Sequence, residues 1–131
     1  MMRVRSLDHF VLRVRDLDRS LGFYRDLLGI AVEGFVELRA GTKPFVSLRV
    51  GESLIDLVPD STSDPASGQA GGFLHFCMTV EDLDRTVRDL RAAGVSFLHD
   101  DPVPRGGARG VGLSIYVHDP DGYIVELKAH D

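Results

Sequence analysis

A displacement of 66 residues lays Leu7–Leu27 over Phe73–Ala93, and no other feature restricts the fold of this chain as strongly. It carries His9 onto His75, Phe10 onto Phe76, Val14 onto Val80, Asp16-Leu17-Asp18-Arg19 onto Asp82-Leu83-Asp84-Arg85, and Arg25 onto Arg91. Further on, a displacement of 70 lays Ile55-Asp56-Leu57 over Val125-Glu126-Leu127, so the second copy holds four more residues between its helix and its last strand. Two copies of one unit must therefore share 131 residues, a length that suits one compact domain better than two independent ones. The expected division is a first module over 1–58, a linker over 59–72 and a second module over 73–131. The linker (PDSTSDPASGQAGG) is read from its Ser, Pro, Gly and Asp content. Such a length lets the modules pair within one chain or exchange between two.

Each copy opens with alternation. Phe10, Leu12 and Val14 point to one side of a strand and His9, Val11 and Arg13 to the other, and Phe76, Met78 and Val80 oppose His75, Cys77 and Thr79 in the same way. The period then lengthens to that of a helix. Leu17, Leu21, Tyr24 and Leu28 form one stripe between an N-cap at Asp16 and a stop at Gly29, and Leu83, Val87 and Leu90 form another between Asp82 and Gly94. Apolar runs follow at Phe45–Val50 and Leu54–Val58, and at Gly112–Val117 and Tyr123–Leu127, with turns at Gly51-Glu52 and Asp121-Gly122. A further strand is expected near Ile30–Leu38 and near Val95–Leu98. The reading is α+β, with the order βαβββ occurring twice.

Composition excludes several functions. The net charge of −5 comes from 20 acidic and 15 basic residues without a long run of either sign, which disfavours a phosphate-tracking surface and a nucleic-acid partner. The single Cys77 cannot close an intrachain disulfide, no apolar stretch approaches the roughly 20 residues that cross a bilayer, and Met1–Leu7 leads into a strand rather than a signal-peptide core. A cytoplasmic protein with no membrane partner is expected.

The repeat also gathers chemistry. A histidine stands early in the first strand of each copy, His9 and His75, and a carboxylate in the last strand of each, Asp56 and Glu126. All four lie by strand parity on the face that the helices leave free. Carboxylates inside runs as apolar as Ser-Leu-Ile-Asp-Leu-Val and Tyr-Ile-Val-Glu-Leu are costly to bury without a partner. Two neutral imidazoles and two carboxylates match a divalent ion, whether Zn, Ni, Fe, Co or Mn. Positions left open on such an ion suit a substrate with two neighbouring oxygens, whose carbonyl the ion polarises.

Three stretches are similar to those of a known family. They are Leu7-Asp8-His9-Phe10-Val11-Leu12, the helix Leu21–Gly29, and His118-Asp119-Pro120-Asp121-Gly122-Tyr123-Ile124-Val125-Glu126-Leu127, the last being the most specific. Through them essentially the whole chain resembles the vicinal oxygen chelate superfamily, which includes glyoxalase I, extradiol dioxygenases, fosfomycin-resistance proteins and bleomycin-binding proteins. The resemblance implies paired βαβββ modules forming an open, half-barrel cleft. It matches His9, His75 and Glu126 to the ligands of catalytic members and Asp56 to a fourth, a carboxylate in glyoxalase I. It makes Glu126 the first choice for catalytic base and Asp56, one methylene shorter than the usual glutamate, the second.

The expected function is a metal-dependent lyase or isomerase of the glyoxalase type, acting on a small oxygenated substrate through an enediolate, with a homodimer as the assembly. Ring-cleaving dioxygenation on ferrous iron is an alternative, which Asp56 opposes by filling a position that dioxygen and substrate need. Fosfomycin modification ranks lower, because the chain stops five residues after Glu126 where the glutathione-using members continue with basic residues. Metal-free drug binding of the bleomycin type is opposed by the retention of all four donors. For substrate contacts the candidates are Arg105 and Arg109, either of which can hold a carboxylate, and Tyr116. The bland alternative for Pro102–Gly110 is a flexible surface loop with solvated arginines. Cys77 is read as an apolar filler, and His99, His118 and His130 as solvated.

Overall fold

The computed structural model describes residues 2–62 and 72–130. Most of the expected linker, residues 63–71, lies outside that range. The chain divides into two compact units, residues 1–63 and 64–131, and they repeat one plan.

The first unit runs β1 (His9–Val14), α1 (Leu17–Leu21) continuing as a π-helical stretch over Gly22–Leu27, β2 (Ala31–Glu33), α2 (Phe35–Ala40), β3 (Val46–Val50) and β4 (Ser53–Pro59). The second runs β5 (His75–Val80), α3 (Leu83–Ala92), β6 (Val103–Gly107), β7 (Gly110–His118) and β8 (Ile124–Ala129). The sheets have the orders β1-β4-β3-β2 and β5-β8-β7-β6. In each, the first strand lies at one edge of the sheet and pairs in parallel with the last strand of the unit, and the other pairings are antiparallel. The α+β reading with two equivalent modules therefore holds.

The alternation read from the sequence sets which side is buried. Leu12, Val14, Ile55, Leu57, Val46 and Leu48 are all under 5% exposed on the helix side of the first sheet, with Leu21, Phe23 and Tyr24 packed over them. Met78, Ile115, Val117, Val125 and Leu127 are likewise buried in the second, under Leu83 and Leu90. Both predicted caps form: the Asp16 and Asp82 carboxylates accept from the backbone N–H groups of Arg19 (3.3 Å) and Arg85 (3.0 Å). Gly29 and Gly94, at φ 73° and 79°, turn the chain off each helix in the left-handed region that glycine enters without strain.

Three expectations need correction. The strand expected over Ile30–Leu38 lasts only from Ala31 to Glu33, because Gly34 at φ 95° breaks the extended run and α2 begins at Phe35. Its counterpart near Val95–Leu98 shrinks to one bridge, Phe97 with Val117, flanked by hydrogen bonds from Leu98 N–H to Tyr116 O and from His118 N–H to Ser96 O. The edge strand of the second sheet is instead β6, Val103–Gly107, so the glycine-rich stretch is a paired hairpin with β7 rather than a flexible loop. Among the described residues, no helix is long and apolar enough to cross a membrane.

Candidate metal centre

In the first unit, Asp56 on β4 lies opposite Val11 of β1 and Ser47 of β3, so the carboxylate shares a face with His9, two residues before Val11. His9 Nδ1 stands 2.7 Å from an Asp8 carboxylate oxygen, and its Nε2 stands 3.9 Å from Asp56 Oδ2. The other oxygen, Asp56 Oδ1, accepts a 2.6 Å hydrogen bond from the Ser47 hydroxyl. Asp56 is buried although it ends in a charge. The Asp8 carboxylate on Nδ1 raises the His9 pKa above its ordinary value; desolvation opposes this and the field of Asp56 adds to it.

The second unit repeats the arrangement with other neighbours. Glu126 on β8 lies opposite Cys77 of β5 and Tyr116 of β7, the positions that Val11 and Ser47 hold in the first. His75 Nε2 stands 3.1 Å from Glu126 Oε1, and the Tyr116 ring meets the His75 ring edge-on at 5.3 Å. Glu126 is 5% exposed. Its second oxygen, Oε2, is buried and has no hydrogen-bond partner among the described residues, a rare condition for a carboxylate. Burial pushes its pKa up, but the approach of Ser114 and Tyr116 and the fields of His75 and Lys128 outweigh that, leaving the group below the usual glutamate range. Tyr116 moves upward, chiefly through burial and then through Glu126, with Arg105 pulling the other way.

Lys128, which the sequence reading passed over, is the buried cation of this half. It shares strand parity with Glu126, and its ammonium donates to Arg105 O (2.5 Å), Gly112 O (3.2 Å) and Ser114 Oγ (3.3 Å). A Cβ on Gly107 would stand 2.9 Å from its Cε, so the lysine stem passes where that glycine has no side chain. The available signal was a lysine at the inward parity position of a strand otherwise apolar or acidic. Ser47 and Asp8 were also missed, the first as a small polar residue facing a carboxylate across two strands, the second as an acidic neighbour of a histidine.

Of the substrate-contact candidates, Arg105 lies on β6, exposed, with its guanidinium bonded to the Pro104 carbonyl and close enough to the Tyr116 phenol to lower its pKa. Arg109, at the hairpin tip, bonds to His130 Nε2 at 3.0 Å instead. Cys77 faces Glu126, and burial and that carboxylate push its thiol up to about 11. His99 is not simply solvated: its Nδ1 bonds Asp101 O (2.8 Å) and its Nε2 accepts from the Tyr116 N–H (3.1 Å), joining its loop to β7. His118 Nδ1 reaches Gly122 O within the turn before β8. Asp119 organises that turn by accepting from the N–H groups of Asp121 and Tyr123, both at 2.9 Å, and so fixes where the Glu126 strand starts.

The structure thus places two histidine–carboxylate pairs, one in each unit. Among the described residues, no group of three or more His, Cys, Asp or Glu side chains is assembled as an ion-binding cluster.

Residues 6–127 match the family model of the Glyoxalase/Bleomycin resistance protein/Dioxygenase superfamily. The chain is 34% identical over 129 residues to a lactoylglutathione lyase of Haemophilus influenzae, covering 91% of this chain and 88% of that protein. It is 32% identical over 130 residues to the mitochondrial methylmalonyl-CoA epimerase of Mus musculus, covering 93% and 71%. It is 31% identical over 132 residues to virulence protein STM3117 of Salmonella typhimurium, covering 98% and 87%. The crystal structure of that last protein superposes with a TM-score of 0.75, at 27% identity over the aligned residues and covering 99% and 100%.

Proposed function

From its membership of the Glyoxalase/Bleomycin resistance protein/Dioxygenase superfamily, to which this chain belongs, we propose a divalent-metal-dependent lyase or isomerase of the glyoxalase type that moves a proton on a small oxygenated substrate. His9, Asp56, His75 and Glu126 are the metal ligands in this reading. The observation that carries it is Glu126 Oε2, a buried carboxylate oxygen with no hydrogen-bond partner among the described residues. A divalent cation fits the donor set: each unit offers one imidazole and one carboxylate on the same sheet face, which together suit Zn, Ni, Fe, Co or Mn. When bound, the ion supplies Lewis-acid polarisation of a substrate carbonyl.

The protein's own residues then divide the work. Glu126 is the base: it takes a proton from the carbon beside the carbonyl and returns it to the intermediate that becomes the product. A glyoxalase-type isomerisation and an epimerisation share that first need, which is why relatives named for a lactoylglutathione lyase and a methylmalonyl-CoA epimerase both support the reading. Asp56 is the second choice of base, being one methylene shorter than Glu126 and so shorter in reach. Tyr116 and Arg105 contact the substrate at its polar end, and Arg109, engaged by His130, does so less.

The test is solvent deuterium incorporation at carbon, with methylmalonyl-CoA and lactoylglutathione as probes, in the presence of added Ni²⁺ or Zn²⁺. Wild-type protein should exchange only with metal, and Glu126→Gln should exchange at least about 100-fold more slowly while keeping its circular dichroism spectrum. An unchanged rate in Glu126→Gln removes Glu126 from the mechanism.

A further inference from the structure

We propose that two residues outside the ligand set, Asp8 and Ser47, hold the first unit's imidazole and carboxylate ready for the ion, so that this half is its anchoring half. The inference rests on the metal reading above and adds two positioning residues to it.

The argument starts from hydrogen-bond inventory. An ionised carboxylate only accepts, so the 2.7 Å contact between Asp8 Oδ2 and His9 Nδ1 requires the proton on Nδ1. Nε2 is then the lone-pair nitrogen, and it is the nitrogen turned toward Asp56, at 3.9 Å, too far for a hydrogen bond between them. Ser47 acts on the carboxylate in the same way. Its hydroxyl occupies Asp56 Oδ1 at 2.6 Å, which leaves Oδ2 as the oxygen facing the imidazole. One free nitrogen lone pair and one free oxygen thus face each other, each fixed from behind by a partner on the far atom of its own group. A carboxylate on the second ring nitrogen is the usual means by which proteins set the tautomer and orientation of a ligand histidine.

The second unit lacks the carboxylate behind its imidazole, and its own carboxylate is approached by Ser114 and Tyr116 instead of a single serine. The repeat puts Leu74 where Asp8 stands, and an alkyl side chain cannot accept a proton. The strand register puts Tyr116 where Ser47 stands. Its ring rests against His75, while His75 Nε2 is spent on Glu126 Oε1 at 3.1 Å. The proton in that hydrogen bond has to leave before both atoms can serve an ion, whereas the pair in the first unit is not hydrogen-bonded. The repeat supplies the ligands twice, and Asp8 only once.

The experiment measures Zn²⁺ affinity by competition with a chromogenic chelator. It is paired with ¹⁵N NMR of the histidine rings in metal-free protein, at a pH where His9 is neutral. Asp8→Ala and Ser47→Ala should each weaken Zn²⁺ binding about 10-fold or more, and Asp8→Asn and Ser47→Thr, which keep the acceptor and the hydroxyl, should stay within about threefold of wild type by the same reasoning. The wild-type His9 ring should carry its proton on Nδ1, and Asp8→Ala should shift it toward Nε2. Wild-type affinity in Asp8→Ala and Ser47→Ala, or a His9 tautomer indifferent to Asp8, overturns the proposal while leaving the metal reading intact. Wild-type protein that takes up neither Zn²⁺ nor Ni²⁺ overturns the metal reading and this inference with it.

Discussion

Replacing Lys128 by methionine tests whether the buried ammonium is the clamp that holds the β6–β7 hairpin to the sheet. The side chain is 7% exposed and makes three hydrogen bonds, to Arg105 O, Gly112 O and Ser114 Oγ. Methionine keeps most of the stem and its packing but leaves those acceptors with nothing to receive. Three bonds at about 1 kcal/mol net each come to about 3 kcal/mol. Relief from holding a desolvated ammonium returns about 1 kcal/mol. The expected loss is therefore about 2 kcal/mol, which for a chain of this length lowers Tm by about 8 °C. The assay is urea unfolding followed by circular dichroism, with amide hydrogen exchange read residue by residue. Exchange should accelerate across Val103–Ser114 and stay near wild type in β1 and β4, which carry none of these contacts. A variant within about 0.5 kcal/mol of wild type, with unchanged hairpin exchange, would show that the three contacts contribute only packing, as in surface substitutions.

Two further outcomes follow from the same geometry. Asp82→Ala should cost about 1 kcal/mol in urea unfolding through loss of its 3.0 Å cap on Arg85 N–H, and Asp16→Ala, whose bond is 3.3 Å, should cost less; equal stability of wild type and Asp82→Ala would contradict the first. Cys77 is exposed, yet partial desolvation of its thiol and then Glu126 raise it from 9.0 to about 11, so its thiolate fraction at pH 8 is about 100-fold below that of an ordinary cysteine. Iodoacetamide should alkylate metal-free protein correspondingly slowly, with a rate that keeps rising above pH 10, and a plateau near pH 9 would refute the local field.

How much of this was legible beforehand depends on the range of each interaction. The β1 and β5 strands, both helices and both caps were readable because periodicity and capping act over a few residues, as with Leu12 and Val14 inward and Asp16 before α1. That His9 and Asp56, like His75 and Glu126, lie on the face the helices leave free was readable from strand parity, whereas the parallel neighbouring of β1 with β4 and of β5 with β8 that pairs them was not. The edge of the second sheet was not. Val95–Leu98 has as good a strand pattern as Val103–Gly107 has a poor one, yet β7 is long enough to pair with the glycine-rich stretch, and pairing across strands decided it.

By itself the sequence determined the repeat, the fold class and the donor atoms on offer, because these depend on residue type and on spacing along the chain. Only tertiary structure decided what lies behind each donor. Ser47 is nine residues from Asp56 and reaches it only across a strand pair, and Lys128 meets carbonyls 23 and 16 residues away. Glu126 Oε2 is left without a partner among the described residues by surroundings that come from several strands at once. Burial and hydrogen bonding are properties of a neighbourhood, and a neighbourhood exists only once strands distant in the chain have been laid side by side.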